Sequence, residues 1–144
     1  MKTFLTLFLI ASLNIACGQT SMKVDKDAQS KLNAFIKKSK FDAEPGTLFN
    51  GLSHANLKPQ LNSLLNEAAK DFIHTATHQP TEQKFQQDIG KGLSRFNPFY
   101  LQLDSEDQDR ICRYFEELID CVGLQSSNGK LNEWRYGFDP SKKQ

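Results

Sequence analysis

Leu61, Leu64, Leu65, Ala68, Phe72, Ile73 and Ala76 fall on one side of a helical wheel and form the broadest apolar stripe in the chain. A stripe that wide cannot be covered by one neighbour, so the segment predicts a central helix with other helices packed around it. It opens near Pro59 and closes before Pro80, where the missing amide hydrogen and the ring of proline interrupt helical bonding.

The flanking segments supply the partners. From Val24 to Phe41 the apolar positions Ala28, Leu32, Phe35 and Ile36 recur at helical spacing, with lysines on the other side. Thr81 can cap a helix carrying Phe85, Ile89, Leu93 and Phe96 on one face, ended by Asn97-Pro98. Gly92 falls on that apolar face, where the missing side chain lets another helix approach closely. A further helix carries Ser105 and Gln108 at capping-box spacing, acids in its first turn and Gly123 just beyond its end. Its apolar face is Ile111, Phe115, Leu118, Ile119 and Val122, with Tyr114 at the edge. The opposite face predicts helical ion pairs from Asp109 to Arg113 and from Arg113 to Glu117.

Between the first two helices, Pro45-Gly46 and Gly51 predict a loop, and Leu48, Phe49, Leu52 and Leu57 predict that it packs on the core. After the Ser126-Ser127-Asn128-Gly129 turn signal, Leu131, Trp134, Tyr136 and Phe138 predict a short aromatic hook laid across the bundle. No segment alternates apolar and polar residues, so the expected class is all-α: a small single-domain bundle of about four helices with the aromatic hook at its C-terminus.

The N-terminus carries an address. Lys2 precedes the apolar run Phe4 to Ile15, and Ala16-Cys17-Gly18 closes it, the layout of a secretory signal. Leu13-Asn14-Ile15-Ala16-Cys17-Gly18 resembles a bacterial lipobox, in which the cysteine is acylated and becomes the new N-terminus; Asn14 departs from the usual aliphatic residue. The resemblance implies acyl chains on Cys17 and a membrane-anchored lipoprotein of the cell envelope. The alternative is ordinary cleavage after Gly18, giving a soluble periplasmic or secreted protein. On the first reading, residues 1–17 are a signal peptide ending at Cys17, 18–24 a short tether, 25–140 the helical domain and 141–144 a tail. Losing Lys2 from the 18 basic residues balances the 17 acidic ones, and a chain without net charge argues against nucleic acid as a partner.

The run Asp109-Arg110-Ile111 through Tyr114-Phe115-Glu116, Val122-Gly123-Leu124, Ser126-Ser127-Asn128-Gly129 and Tyr136-Gly137-Phe138-Asp139-Pro140 resembles a bacterial family of small helical domains, domain of unknown function 4844. The likeness is sharpest over the last third of the chain. It implies a helical fold and carries no activity or catalytic residue with it.

Residues able to do chemistry are few. Glu67, Asp71, His74 and His78 share one face of the central helix; two histidines four apart can ligate one zinc ion while a carboxylate supplies an oxygen. That stripe lies opposite Leu61, Leu65 and Phe72, where a solvated polar face belongs, and it lacks a His-Glu-x-x-His core. The acids from Asp104 to Asp109 lack the glycine and the closing glutamate of a calcium loop. Cys112 and Cys121 lie on one helix about 13 Å apart along its axis, beyond the ~7 Å that a disulfide spans. No serine elbow or phosphate-cradling glycine loop is present.

No cofactor is therefore expected, and a binding function leads, with Trp134, Arg135 and Tyr136 as residue types that dominate protein interfaces. The leading expectation is an exported protein-binding module, inhibitor-like or immunity-like, meeting a protein partner in the envelope. A metal-dependent enzyme on the Glu67 to His78 face and a structural envelope lipoprotein are the alternatives.

Overall fold

The computed structural model describes residues 20–139. The signal segment, Cys17 and the tail 141–144 lie outside the described residues. Among the described residues five α-helices follow one another: α1 (Ala28–Lys37), α2 (Lys58–His78), α3 (Glu82–Ser94), α4 (Ser105–Val122) and α5 (Lys130–Tyr136). Short 3-10 turns at Ala55–Leu57 and Asn97–Gln102 lead into α2 and out of α3. The class is all-α, as the periodicity predicts.

Specific cross-links fix the directions of the helices. Met22 donates its amide to the Pro80 carbonyl at the end of α2, whereas Asp42, just beyond α1, pairs with Lys58 at the start of α2. α1 therefore runs antiparallel to α2. Thr75 on α2 donates to Asp88 at 2.6 Å and Asp71 accepts from Arg95 at 2.7 Å, so α3 runs back down α2. The start of α4 meets Ser53 through Asp107, and its later Glu117 meets Lys38 at the end of α1. α4 thus runs parallel to α2, completing an up-and-down bundle. α5 descends beside α4, with Leu131 near Cys112 and Arg135 on Asp109.

The core lies where the apolar stripes meet. Leu61, Leu65, Phe72, Phe85, Ile89, Phe96, Ile111, Phe115 and Leu118 are all fully buried. Gly92 faces α4: a Cβ there would stand 2.7 Å from Phe115 Cε1 and 3.2 Å from the Ala68 Cβ, so the absent side chain does set the helix spacing. Thr81 caps α3 by accepting from the Lys84 amide, and Gly123 closes α4 in the left-handed region at φ 70°.

Other details depart from expectation. The capping box of α4 sits one residue earlier, with Asp104 as N-cap and Asp107 returning the bond, because Asp107 is also needed to hold Ser53. α1 spans less than the predicted segment: Lys38 turns extended at ψ 148° and Phe41 adopts φ 63°, which folds the Phe41 ring back into the core. The Phe41 amide donates to the Tyr114 hydroxyl at 2.7 Å, offsetting the cost of a bulky residue in the left-handed region. The stretch expected as a tether is held from Ser21 onward, where an isolated antiparallel bridge joins Ser21 to Thr81.

Lys40 is the exception among the lysines expected on a solvated face. Only 1% exposed, its Nζ lies over the Phe35 ring at 4.6 Å and donates to Asn66 Oδ1 at 2.9 Å and to the Lys38 and Ile36 carbonyls at 3.2 and 3.4 Å. It thereby closes the C-terminal turn of α1. Burial, reinforced by neighbouring Lys38, lowers its pKa to about 8. The unfolded chain holds this proton up to about 10.5. Between the two values the unfolded state binds more protons, so this lysine's contribution to stability rises with pH. Urea titrations should therefore find that the wild type gains roughly 2 kcal/mol on the Lys40→Met variant between pH 8 and pH 10. Both chains share the opposing loss from Cys112, whose thiol burial pushes up to about 12, so the difference isolates Lys40. A constant difference would place Lys40 in contact with water.

Candidate functional site

The polar face of α2 is committed to holding α3. Asp71 accepts from Arg95 at 2.7 Å and from Lys91 at 3.0 Å, and Glu67 lies 3.5 Å from the same Arg95. His74 and His78 stack face to face at 4.2 Å, and His78 Nδ1 sits 3.0 Å from the His74 carbonyl. The four residues proposed from spacing thus form an inter-helix clamp followed by a stacked pair. Among the described residues no group of three or more His, Cys, Asp or Glu side chains is arranged to hold a metal ion. Cys112 and Cys121 are both free thiols.

The aromatic hook divides by residue. Trp134 packs edge-on against Phe96 and Tyr100 and donates its indole hydrogen to Asn97 at 3.1 Å. Arg135 donates to Asp109 at 2.5 Å and to Gln108 at 3.0 Å, and its carbonyl accepts from the Tyr100 hydroxyl. Tyr136 turns outward, with the Arg135 guanidinium 4.8 Å from its ring centre. Of the hook residues expected to lie across the bundle, Leu131 is buried and Trp134 half-buried against the core, whereas Tyr136 and Phe138 are exposed. α5 has only seven residues, so one face reaches the bundle, and the Tyr136 and Phe138 rings fall on the outer side.

On the other side of α4, the loop after α1 is bound tightly. Glu44 and Phe49 bond across its turn, and the Thr47 hydroxyl donates to the Glu44 carbonyl. The Phe49 ring is buried under the Arg110 guanidinium at 4.4 Å, and Arg110 reaches Glu44 at 2.7 Å. Ser53 is held by Asp107 through both its amide and its hydroxyl. Leu48, predicted to pack inward beside Phe49, points out and is 84% exposed, since consecutive residues in a tight turn cannot share one side.

Two clefts consequently flank α4 between Glu106 and Glu116. One, of about 370 Å³, lies against Leu48, Phe49, Glu106 and Arg110; the other, of about 260 Å³, lies against Cys112, Glu116, Arg135 and Tyr136. Asp109 and Arg113 line both. Leu48 stands on the outer wall of one cleft and Tyr136 on that of the other, with charged side chains between. The predicted pairs of Arg113 with Asp109 and Glu117 are replaced: Asp109 binds Arg135 and Glu117 binds Lys38. Arg113 is left exposed on the ridge between the clefts. Of this surface, sequence reasoning singled out Arg135 and Tyr136 and missed Leu48, Arg110 and Arg113. The signal available for Leu48 was its position beside Pro45-Gly46, at the tip of a turn too short to bury two large residues.

Among the described residues no helix is long and apolar enough to cross a membrane. No curated protein matches the chain. A crystal structure of a DUF3571 family protein from Acinetobacter baumannii AYE is similar, at 32% sequence identity and a TM-score of 0.69 over 76% of this chain and 89% of that one. Residues 23–139 match the family described as Domain of unknown function (DUF4844). The chain therefore belongs to the DUF4844 family.

Proposed function

We propose that this chain is an exported protein held at the membrane by a lipid on Cys17, and that its helical domain binds a protein partner in the cell envelope, as an inhibitor or immunity protein would. The observation that carries the binding reading is the paired cleft on α4, with Leu48 and Tyr136 exposed on its outer walls and Asp109 and Arg113 shared between its halves. Large apolar side chains cost little to expose singly, but two of them framing a charged ridge match the composition of protein interfaces, where Tyr and Arg anchor the contact. The walls are also preorganised, since Arg110 clamps the Leu48 loop and Arg135 clamps α5. A partner therefore meets them without having to order them.

Cells producing the protein with a photoreactive amino acid at position 48 or 136 should yield one defined cross-linked partner from either position. The same probe at Gln60, exposed on α2, should yield none. No adduct from either cleft position, or the same adducts from all three, would refute the binding surface. The anchor is tested separately by mass spectrometry of the membrane-extracted protein. A chain beginning at acylated Cys17 is expected, whereas an unmodified chain beginning at Gln19 would refute it.

A further inference from the structure

The bridge at Ser21 limits how the domain can sit on a membrane, if Cys17 carries the lipid proposed above. Ser21 pairs with Thr81 and the Met22 amide donates to Pro80 at 2.7 Å, so the chain enters the bundle at the turn between α2 and α3. Cys17 lies four residues before Ser21. Fully extended, that stretch reaches at most about 14 Å. α2, with 21 residues, is about 30 Å long, so the leash cannot let the bundle turn over and bring its opposite end to the anchor.

We infer that the end of the bundle carrying the α2–α3 turn rests on the lipid headgroups, and that the α4 clefts are thereby held on the side away from the membrane. The helix directions place the clefts accordingly. α4 climbs toward the anchored end, and from Asp109 to Cys121 it rises about 18 Å. The α4 residues of the clefts run from Glu106 to Glu116, short of its last turns, and one cleft lies beside the Leu48 loop, whose neighbour Asp42 pairs with Lys58 at the start of α2.

The character of the two ends agrees with this placement. At the anchored end the exposed side chains include His74, Thr77, His78, Gln79 and Glu82, which suit a hydrated headgroup layer. The exposed large apolar side chains among the described residues are Leu48, Leu101, Tyr136 and Phe138, none of them at that end. The contact is therefore one of apposition under a short tether: among the described residues no helix is long and apolar enough to cross a bilayer, and no large apolar side chain at this end is exposed. Acid and base are mixed there too, with Asp25, Asp27 and Glu82 beside Lys23 and Lys26, so the leash rather than charge sets the orientation.

The test uses acylated full-length protein in phosphatidylcholine vesicles containing a lipid with a nitroxide on its headgroup. A fluorophore is attached through Gln79→Cys in one preparation and Leu48→Cys in another. At pH 7 the native thiols resist labelling, because Cys121 is buried and the Cys112 pKa stands at about 12. Circular dichroism verifies that each labelled chain is folded, and the mass of its N-terminal peptide verifies acylation. Quenching at position 79 should exceed that at position 48 several-fold. Inserting a flexible linker of about 20 Gly and Ser residues before Thr20, with a typical reach of about 25 Å, should remove most of the difference. Equal quenching, or stronger quenching at position 48, would overturn the orientation. A difference that survives the long linker would overturn the leash as its cause. A missing acyl mass would instead overturn the lipoprotein reading itself, so the two failures are told apart by the same sample.

Discussion

Replacing Phe115 with alanine is expected to destabilise the domain by about 3–5 kcal/mol, the range for removing a fully buried aromatic ring. Phe115 has no exposed surface, meets Phe96 edge-on at 6.2 Å between ring centres and fills the space opposite Gly92. The bundle cannot close the resulting void cheaply, because α2 and α3 are pinned to each other by Arg95 and Thr75. The reverse change at the same contact should also cost: Gly92→Ala pushes a Cβ within 2.7 Å of the ring and should lose about 1–3 kcal/mol through overpacking. Gly90→Ala, two residues away and with nothing within 4 Å, should gain up to about 1 kcal/mol from helix propensity. Opposite signs for two glycines on one helix, read from urea unfolding, would confirm the close approach of α3 to α4. A gain at both positions would mean that the helices stand further apart.

Asp107→Ala should cost about 3 kcal/mol and loosen the loop that carries Leu48. This buried carboxylate accepts from the Ser53 amide at 3.2 Å, from the Ser53 hydroxyl and from the Asp104 amide at 3.3 Å, so its removal leaves a helix N-terminus and a loop without their shared acceptor. Loss of an N-cap interaction costs roughly 0.5–2 kcal/mol, and each bond to a charged acceptor adds a comparable amount. Hydrogen exchange should reveal the local consequence, with amides from Glu44 to Ser53 exchanging faster relative to those of α2 than in the wild type. A global loss without that local change would make Asp107 a cap only.

The parts of the fold that were legible in the sequence are those set by one element at a time. The Leu61 to Ala76 stripe, the Thr81 cap and Gly123 each state their role through local spacing or backbone demand, and the helices α2, α3 and α4 follow. What was not legible depends on two elements meeting. Lys40 belongs by composition to a lysine-rich face, and only the turn at Phe41, made where Tyr114 of α4 offers its hydroxyl, carries it inside. Helical spacing predicted partners for Arg113, but Asp109 and Glu117 each found a cation on another segment, in Arg135 and Lys38. The capping box moved by one residue for the same reason, since Asp107 serves the loop as well as the helix. The cleft surface is the sum of these long-range choices. Its residues could be suspected singly, as Arg135 and Tyr136 were, but their arrangement around Arg113 could not.

The most direct measurement of the binding claim is the affinity of the cross-linked partner, once identified, for the purified domain and for a Leu48→Glu/Tyr136→Glu variant. Both positions are exposed and outside the core, so the variant should keep its unfolding midpoint. Its affinity should fall at least about a hundredfold, equivalent to roughly 2.7 kcal/mol, as expected when two anchors are replaced by charges next to Glu106 and Glu116. An affinity unchanged within threefold, with the fold intact, would contradict the assignment of the α4 clefts as the partner's docking surface.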